Sequence, residues 1–177
     1  NIGNFVNRSM KFLKKTWPEG VGSDCFQTFF ESENSKALSD KITQINEYLN
    51  DYQIKKALDT IMSIGRDANE FFSEREPWAM VKTDMEKTEE TMAWSAIYVF
   101  SLGVMFKPFL PNLSSRMLKH FGALVTTESM QELYTGNVAH LRSIFSQNFV
   151  VEGKVKGLVP KIDSDIIKEL EAKLKAL

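Results

Sequence analysis

Residues 92–106 are apolar on nearly every face of a helix, and this constrains the fold more than any other feature of the sequence. A helix without a polar side is stable in water only when other elements surround it. The uncharged run that contains it, residues 91–106, is shorter than the roughly 20 residues that a bilayer-spanning helix needs. We therefore predict a buried helix at the centre of a bundle, and no membrane partner.

The segments around this run place apolar residues at the three- and four-residue spacing of amphipathic helices. We predict an all-α fold, in which four to five long helices form a bundle over residues 1–148, and residues 149–177 add an extended connector and a C-terminal helix. The first predicted helix ends before Trp17, the second covers residues 35–49, and the third runs from Ile54 to about Glu76. The fourth begins at Asp84. Further helices are predicted over residues 113–121, 126–134 and 163–177. Residues 20–32 are predicted as a loop pinned by aromatic side chains.

Two positions add local detail to the predicted helices. Asn34 or Ser35 is expected to cap the second long helix, because short polar side chains accept hydrogen bonds from the free N–H groups at a helix start. Gly65 lies in the middle of the third, where glycine costs about 1 kcal/mol relative to alanine. A glycine kept at that cost indicates that another helix crosses closely at this point.

Composition limits the kinds of site that the chain can hold. Its 177 residues are 43% hydrophobic and 25% charged, which is enough for one sizeable core. Cys25 is the single cysteine, so an intrachain disulfide and a multi-cysteine zinc site are excluded, and a reducing compartment is favoured. His120 and His140 are isolated, and we predict no metal site. Walker, dinucleotide, zincin and nucleophile-elbow motifs are absent, so we expect no catalysis in this segment.

The charge of the chain is unevenly distributed. A net charge of −1 argues against a protein that binds nucleic acid by bulk electrostatics. Residues 1–18, however, contain no acidic residue, and one face of the first helix presents Asn4, Arg8, Lys11 and Lys15 opposite an apolar stripe. Lys11, Lys14 and Lys15 are candidate phosphate contacts, although a solvated helix face would look the same.

A Pro-Trp pair interrupts the polar stretch 73–82 between two strongly helical regions. Pro77 disfavours the helical conformation at Glu76, so the preceding helix should stop there. Trp78 then lies at a helix end, where a large ring either closes the core or offers a platform to a ligand. The residue pattern by itself leaves both interpretations open.

Three blocks of sequence resemble the signature blocks of the anticodon-binding domain of methionyl-tRNA synthetase, most closely the eukaryotic-type form. They are Gly-Asn-Phe-Val-Asn-Arg at 3–8, Glu-Pro-Trp-Ala-Met-Val-Lys at 76–82 and Lys-Pro-Phe-Leu-Pro at 107–111. Their order and spacing agree with the family over most of the chain. The connector departs from the family, because the usual Gly-His-Lys and Pro-Leu-Phe-Pro runs are replaced near residues 151–160.

The resemblance implies that Asn4, Arg8, Pro77 and Trp78 read the first base of the CAU anticodon of methionine tRNA. Proteins usually read single-stranded RNA in this way, stacking an unpaired base on an aromatic ring and hydrogen-bonding its edge. The family also implies an upstream catalytic domain in the same chain, which uses ATP to attach methionine to its tRNA. The sequence lacks the His-Ile-Gly-His and Lys-Met-Ser-Lys-Ser motifs of that domain, so we expect a fragment of a longer cytoplasmic protein, with tRNA and not DNA as partner and no cofactor of its own.

Two alternatives stay open at this stage. One is the related bundle of a leucyl-, isoleucyl-, valyl- or cysteinyl-tRNA synthetase. The other is a helical protein-interaction scaffold without an RNA role, in which Trp78 belongs to the core and the basic face of the first helix is solvated.

Overall fold

The computed structural model describes residues 2–135, 137 and 139–158, and they form an all-α bundle as predicted. The helices are α1 (Ile2–Thr16), α2 (Asp24–Phe30), α3 (Glu33–Asn50), α4 (Ile54–Arg75), α5 (Pro77–Met80), α6 (Met85–Met105), α7 (Pro111–Leu118), α8 (Thr127–Tyr134) and α9 (Ala139–Ile144), and a 3₁₀ helix spans Lys119–Leu124. In this part of the chain α1, α3, α4 and α6 are the long helices, with 15 to 22 residues each. The C-terminal helix predicted over 163–177 lies outside the described residues, and the division at residue 148 stays a prediction.

The central position of α6 is confirmed. Every residue from Met92 to Met105 is buried, and α6 contacts α1, α2, α4, α5, α7 and α8. The helix begins where predicted, because the Asp84 carboxylate accepts a hydrogen bond of 2.9 Å from the Lys87 backbone N–H. Among the described helices, none combines the length and apolar content that crossing a bilayer requires.

The predicted close crossing at Gly65 is also present. A β-carbon added at this position would overlap the Ile2 side chain, which packs against the α4 backbone there. One turn further along α1 and two turns further along α4, the rings of Phe5 and Phe72 meet edge to face, with 5.8 Å between their centroids. The contact therefore fixes α1 against α4 in the region that carries Arg8.

The loop predicted over residues 20–32 is wrong, because α2 forms inside it. Phe26 and Phe29, three positions apart, are fully buried, so a single helical face suffices to pin the segment. Ser32, not Asn34 or Ser35, caps α3, and its side chain accepts from the Ser35 N–H.

Two further short helices were not predicted. The stretch after Pro77 forms one helical turn, α5, where a loop was expected. Proline fits the first position of a helix because the N–H that it lacks would have no partner there. The helix α9 had no strong apolar period to reveal it.

The extended connector is confirmed as far as residue 158. An isolated antiparallel bridge joins Phe149 to Val21, and Val151 and Leu158 are buried against the bundle. His120 is buried beneath it, with Nδ1 2.9 Å from the carbonyl oxygen of Glu152. Burial lowers the pKa of His120 below its usual value, although this hydrogen bond acts in the opposite direction. The ring therefore serves the packing of the connector.

Candidate functional site

The local geometry after α4 follows from a single proline. Glu76 ends α4 in the left-handed conformation, with φ 44° and ψ 55°. Pro77 then opens α5, and the Glu76 carbonyl accepts hydrogen bonds from the N–H groups of Ala79 and Met80 at 2.8 and 3.0 Å. Pro77 itself is buried, so it acts by fixing the backbone that carries Trp78.

Trp78 lies at the surface. Its side chain is 39% exposed, and its ring contacts the buried Phe72 at the end of α4, with 5.7 Å between the ring centroids. The interpretation of Trp78 as a core residue, on which the scaffold alternative depended, is therefore not supported. Part of the ring is therefore accessible from solvent.

Arg8 closes this arrangement from α1. Its guanidinium carbon lies 4.7 Å from the centroid of the Trp78 ring and 5.2 Å from that of Phe72. The three side chains form a single cluster, which we call the Arg8–Trp78 site. A base inserted between the guanidinium and the indole would require a separation of about 7 Å, twice the usual contact distance. The observed separation is smaller, so a base does not fit between them in this arrangement. Guanidinium and ring are already in contact.

The other predicted residues of α1 lie on the same helix at different distances from this cluster. Asn4 is exposed one helical turn before Arg8, on the same face. Lys11 and Lys15 are exposed and continue the polar face toward the end of α1. Lys14 is directed elsewhere, because its Nζ donates hydrogen bonds to the carbonyl oxygens of Val151 and Gly153 in the connector, at 3.3 and 2.5 Å.

Sequence reasoning missed Phe72 as part of this site. Phe72 lies within the helix predicted from Ile54 to about Glu76 and was not singled out there, yet it supports both Trp78 and Arg8. The sequence signal for this role was the position of Phe72 one turn before the Glu-Pro helix stop. An aromatic ring at that position can contact the residues that follow the proline. The role of Lys14 had no such signal, since its partners lie 137 and 139 positions away in the chain.

We expect Glu76→Gly to stabilise the protein by about 1 kcal/mol, because a left-handed residue with a β-carbon costs roughly 1–2 kcal/mol that glycine avoids. Glu76 is exposed, so the substitution removes no packing. Urea unfolding measures the change. The matched control is Glu70→Gly, at an exposed position inside α4, which should destabilise by about 1 kcal/mol. Equal destabilisation by both variants would contradict the strain at Glu76.

Comparison with known proteins relates the chain to one family. A family described as the anticodon binding domain of methionyl tRNA ligase matches residues 21–175. A methionine–tRNA ligase of Streptococcus pneumoniae (strain CGSP14) is 32% identical over 127 residues, which is 72% of this chain and 23% of that protein. One from Methanosphaera stadtmanae is 28% identical over 188 residues, covering all of this chain and 27% of that protein.

The chain thus spans about a quarter of the curated relatives that it matches. The matched family region includes Pro77 and Trp78, whereas Asn4 and Arg8 precede it and are covered by the Methanosphaera stadtmanae relative. The resemblance noted in the three sequence blocks is confirmed, and the leucyl, isoleucyl, valyl and cysteinyl alternatives are not favoured. The chain belongs to the family of anticodon-binding domains of methionyl-tRNA ligases.

Proposed function

We propose that this chain recognises the CAU anticodon loop of methionine tRNA and that the Arg8–Trp78 site reads its first base. The observation that carries the proposal is the contact of the Arg8 guanidinium with the exposed ring of Trp78. A flat ring at the surface offers stacking, and a fork of N–H donors beside it can bond the edge of a base or a phosphate.

Binding of a base takes the form of an exchange. A partly exposed cation–π contact is worth about 0.5–1 kcal/mol, whereas a base stacked on an aromatic ring is worth roughly 1–3 kcal/mol. The base therefore displaces the guanidinium from the ring, and Arg8 turns its donors toward the base edge or the adjoining phosphate. Asn4, one turn away, adds an acceptor and two donors to the same side.

The neighbouring lysines of α1 give affinity without sequence preference. Lys11 and Lys15 are exposed on the face that carries Asn4 and Arg8, and a lysine at such a position binds phosphate as a point charge. The Arg8–Trp78 site then selects the base, and the lysines of α1 attract the phosphate backbone of the RNA.

The activity of the whole protein is part of the same proposal. The curated relatives are methionine–tRNA ligases about four times as long as the matched segment. Attachment of methionine to tRNA with ATP belongs to a catalytic domain elsewhere in the same polypeptide, in the cytoplasm, and this segment needs no cofactor of its own. Its contribution is to select the tRNA.

The test is a titration of the 177-residue chain with an RNA hairpin that carries the CAU loop and with the same hairpin changed at the first anticodon base. We expect tighter binding of the CAU hairpin. Arg8→Ala should weaken binding of the CAU hairpin more than binding of the changed hairpin, so the preference falls. The variant loses the guanidinium that bonds the base edge, and the same guanidinium no longer competes with the base for the ring. Equal binding of both hairpins by the wild-type chain would overturn the proposal.

A further inference from the structure

The connector, residues 149–158, is fastened to the end of α1. Lys14 donates to the carbonyl oxygens of Val151 and Gly153, and the Asn148 side-chain amide donates to the Glu19 carbonyl at 2.8 Å. These bonds join segments that are far apart in the sequence. They place the middle of the connector beside the basic half of α1.

Bonds to the 3₁₀ helix hold the opposite edge of the connector. The Glu152 N–H donates to the His120 carbonyl at 3.0 Å, and the Glu152 carboxylate lies against Gly122, where a β-carbon would overlap it. Gly122 has φ 50°, so glycine is required there for backbone reasons as well. The carboxylate of Glu152, which is an exposed residue, therefore contacts the 3₁₀ helix.

The two lysines of the connector are exposed. Val151 and Leu158 are buried and Val155 is half-buried, whereas Lys154 and Lys156 are exposed. In an extended chain, residues two positions apart lie on the same side. Lys154 and Lys156 therefore project together, away from the surface that Val155 packs against.

These lysines add positive charge beside the basic end of α1, because the Lys14 Nζ donates to the carbonyl of Gly153, the residue before Lys154. Residues 2–18 contain no acid, and residues 149–158 contain only Glu152. The seven positions from Arg8 to Lys15 span about 10 Å of helix, and the three steps from Gly153 to Lys156 span at most about 10 Å of extended chain. Each of these lengths matches roughly three nucleotides of one strand, at about 3.4 Å of axial rise each.

We propose that Lys154 and Lys156 bind the sugar-phosphate backbone of the RNA whose loop the Arg8–Trp78 site reads. This inference rests on the proposed function and extends its recognition surface from α1 to the connector. Lys14 is a positioning residue in this arrangement: two of its three donors are used on connector carbonyls, so it holds the connector, with Lys154 and Lys156, beside the end of α1.

The experiment measures the dissociation constant for the CAU hairpin between about 50 and 200 mM salt. Each phosphate contact contributes about 0.7–0.9 to the slope of log K against log salt concentration, so Lys154→Ala/Lys156→Ala should lower the slope by roughly 1.5. The preference for CAU over the changed hairpin should stay as in the wild type. The matched control, Lys55→Ala/Lys56→Ala, removes two exposed lysines at the far end of α4 and should leave the slope unchanged.

An unchanged slope in the connector variant would overturn the proposal, and so would an equal fall in the control, since either result means that the connector makes no contact of its own. Failure of the proposed function looks different: the wild-type chain then shows no preference between the two hairpins at any salt concentration.

The positioning role of Lys14 has a separate readout. Lys14→Met keeps most of the side-chain stem but no donor, and it should lower the slope. Adding Lys154→Ala/Lys156→Ala to it should lower the slope by clearly less than those substitutions do alone, because contacts that share one support are not additive. Lys14→Arg should restore the wild-type slope. Fully additive effects would show that Lys14 binds phosphate itself and would overturn its role as a tether.

Discussion

Trp78→Ala is expected to weaken binding of the CAU hairpin by about 1–3 kcal/mol, or roughly 5- to 150-fold, and to remove most of the preference for the first base. The stacking platform of the site is a single ring, and no other exposed aromatic side chain in the described residues lies beside Arg8. The protein should stay folded, because the ring is 39% exposed and covers Phe72 without filling the core. Fluorescence anisotropy with labelled hairpins measures both quantities.

Two variants make this result specific. Trp78→Phe keeps a flat ring and should retain most of the affinity. Tyr52→Ala removes an aromatic side chain that is 88% exposed at the turn between α3 and α4, about 27 Å along α4 from Phe72, and should change nothing. A comparable loss in Tyr52→Ala, or none in Trp78→Ala, would mean that Trp78 does not stack on the RNA.

Helix ends were predictable where one residue type forces them. Pro77 fixes the end of α4, and Asp84 caps α6, because a proline and a capping carboxylate act on the nearest backbone groups alone. The burial of α6 was equally predictable, since no face of it is polar. That requirement predicts that other helices surround α6, but not which helices they are.

Contacts between distant segments were not predictable from one sequence. Arg8 was predicted on the polar face of α1 and Trp78 at a helix end, but their contact depends on the crossing of α1 and α4 near Gly65. Lys14 was predicted as a candidate phosphate contact like Lys11 and Lys15, and nothing in the sequence indicates its hydrogen bonds to the connector. Local patterns identify which side chains are available, and only the packing decides which of them are used by the protein itself.

Phe72→Ala is expected to reduce the free energy of unfolding by about 3–5 kcal/mol, the usual cost of removing a buried phenylalanine ring. Phe72 is 1% exposed and contacts Phe5, Trp78 and Arg8, so the cavity opens where three elements meet. Because such domains are stable by only about 5–15 kcal/mol, the variant should be folded but visibly weakened in urea. Its preference for the CAU hairpin should also fall, since Trp78 and Arg8 lose the surface that positions them.

A second core substitution separates the effect on the fold from the effect on the site. Phe26 is fully buried and stacks on Phe145 at a centroid distance of 4.8 Å, without contact to Arg8 or Trp78. Phe26→Ala should therefore destabilise the protein by a similar amount and keep the preference for CAU under conditions where both variants are folded. If both variants lose the preference equally, Phe72 matters only to the fold. If only Phe72→Ala loses it, the ring beneath Trp78 is part of the recognition surface.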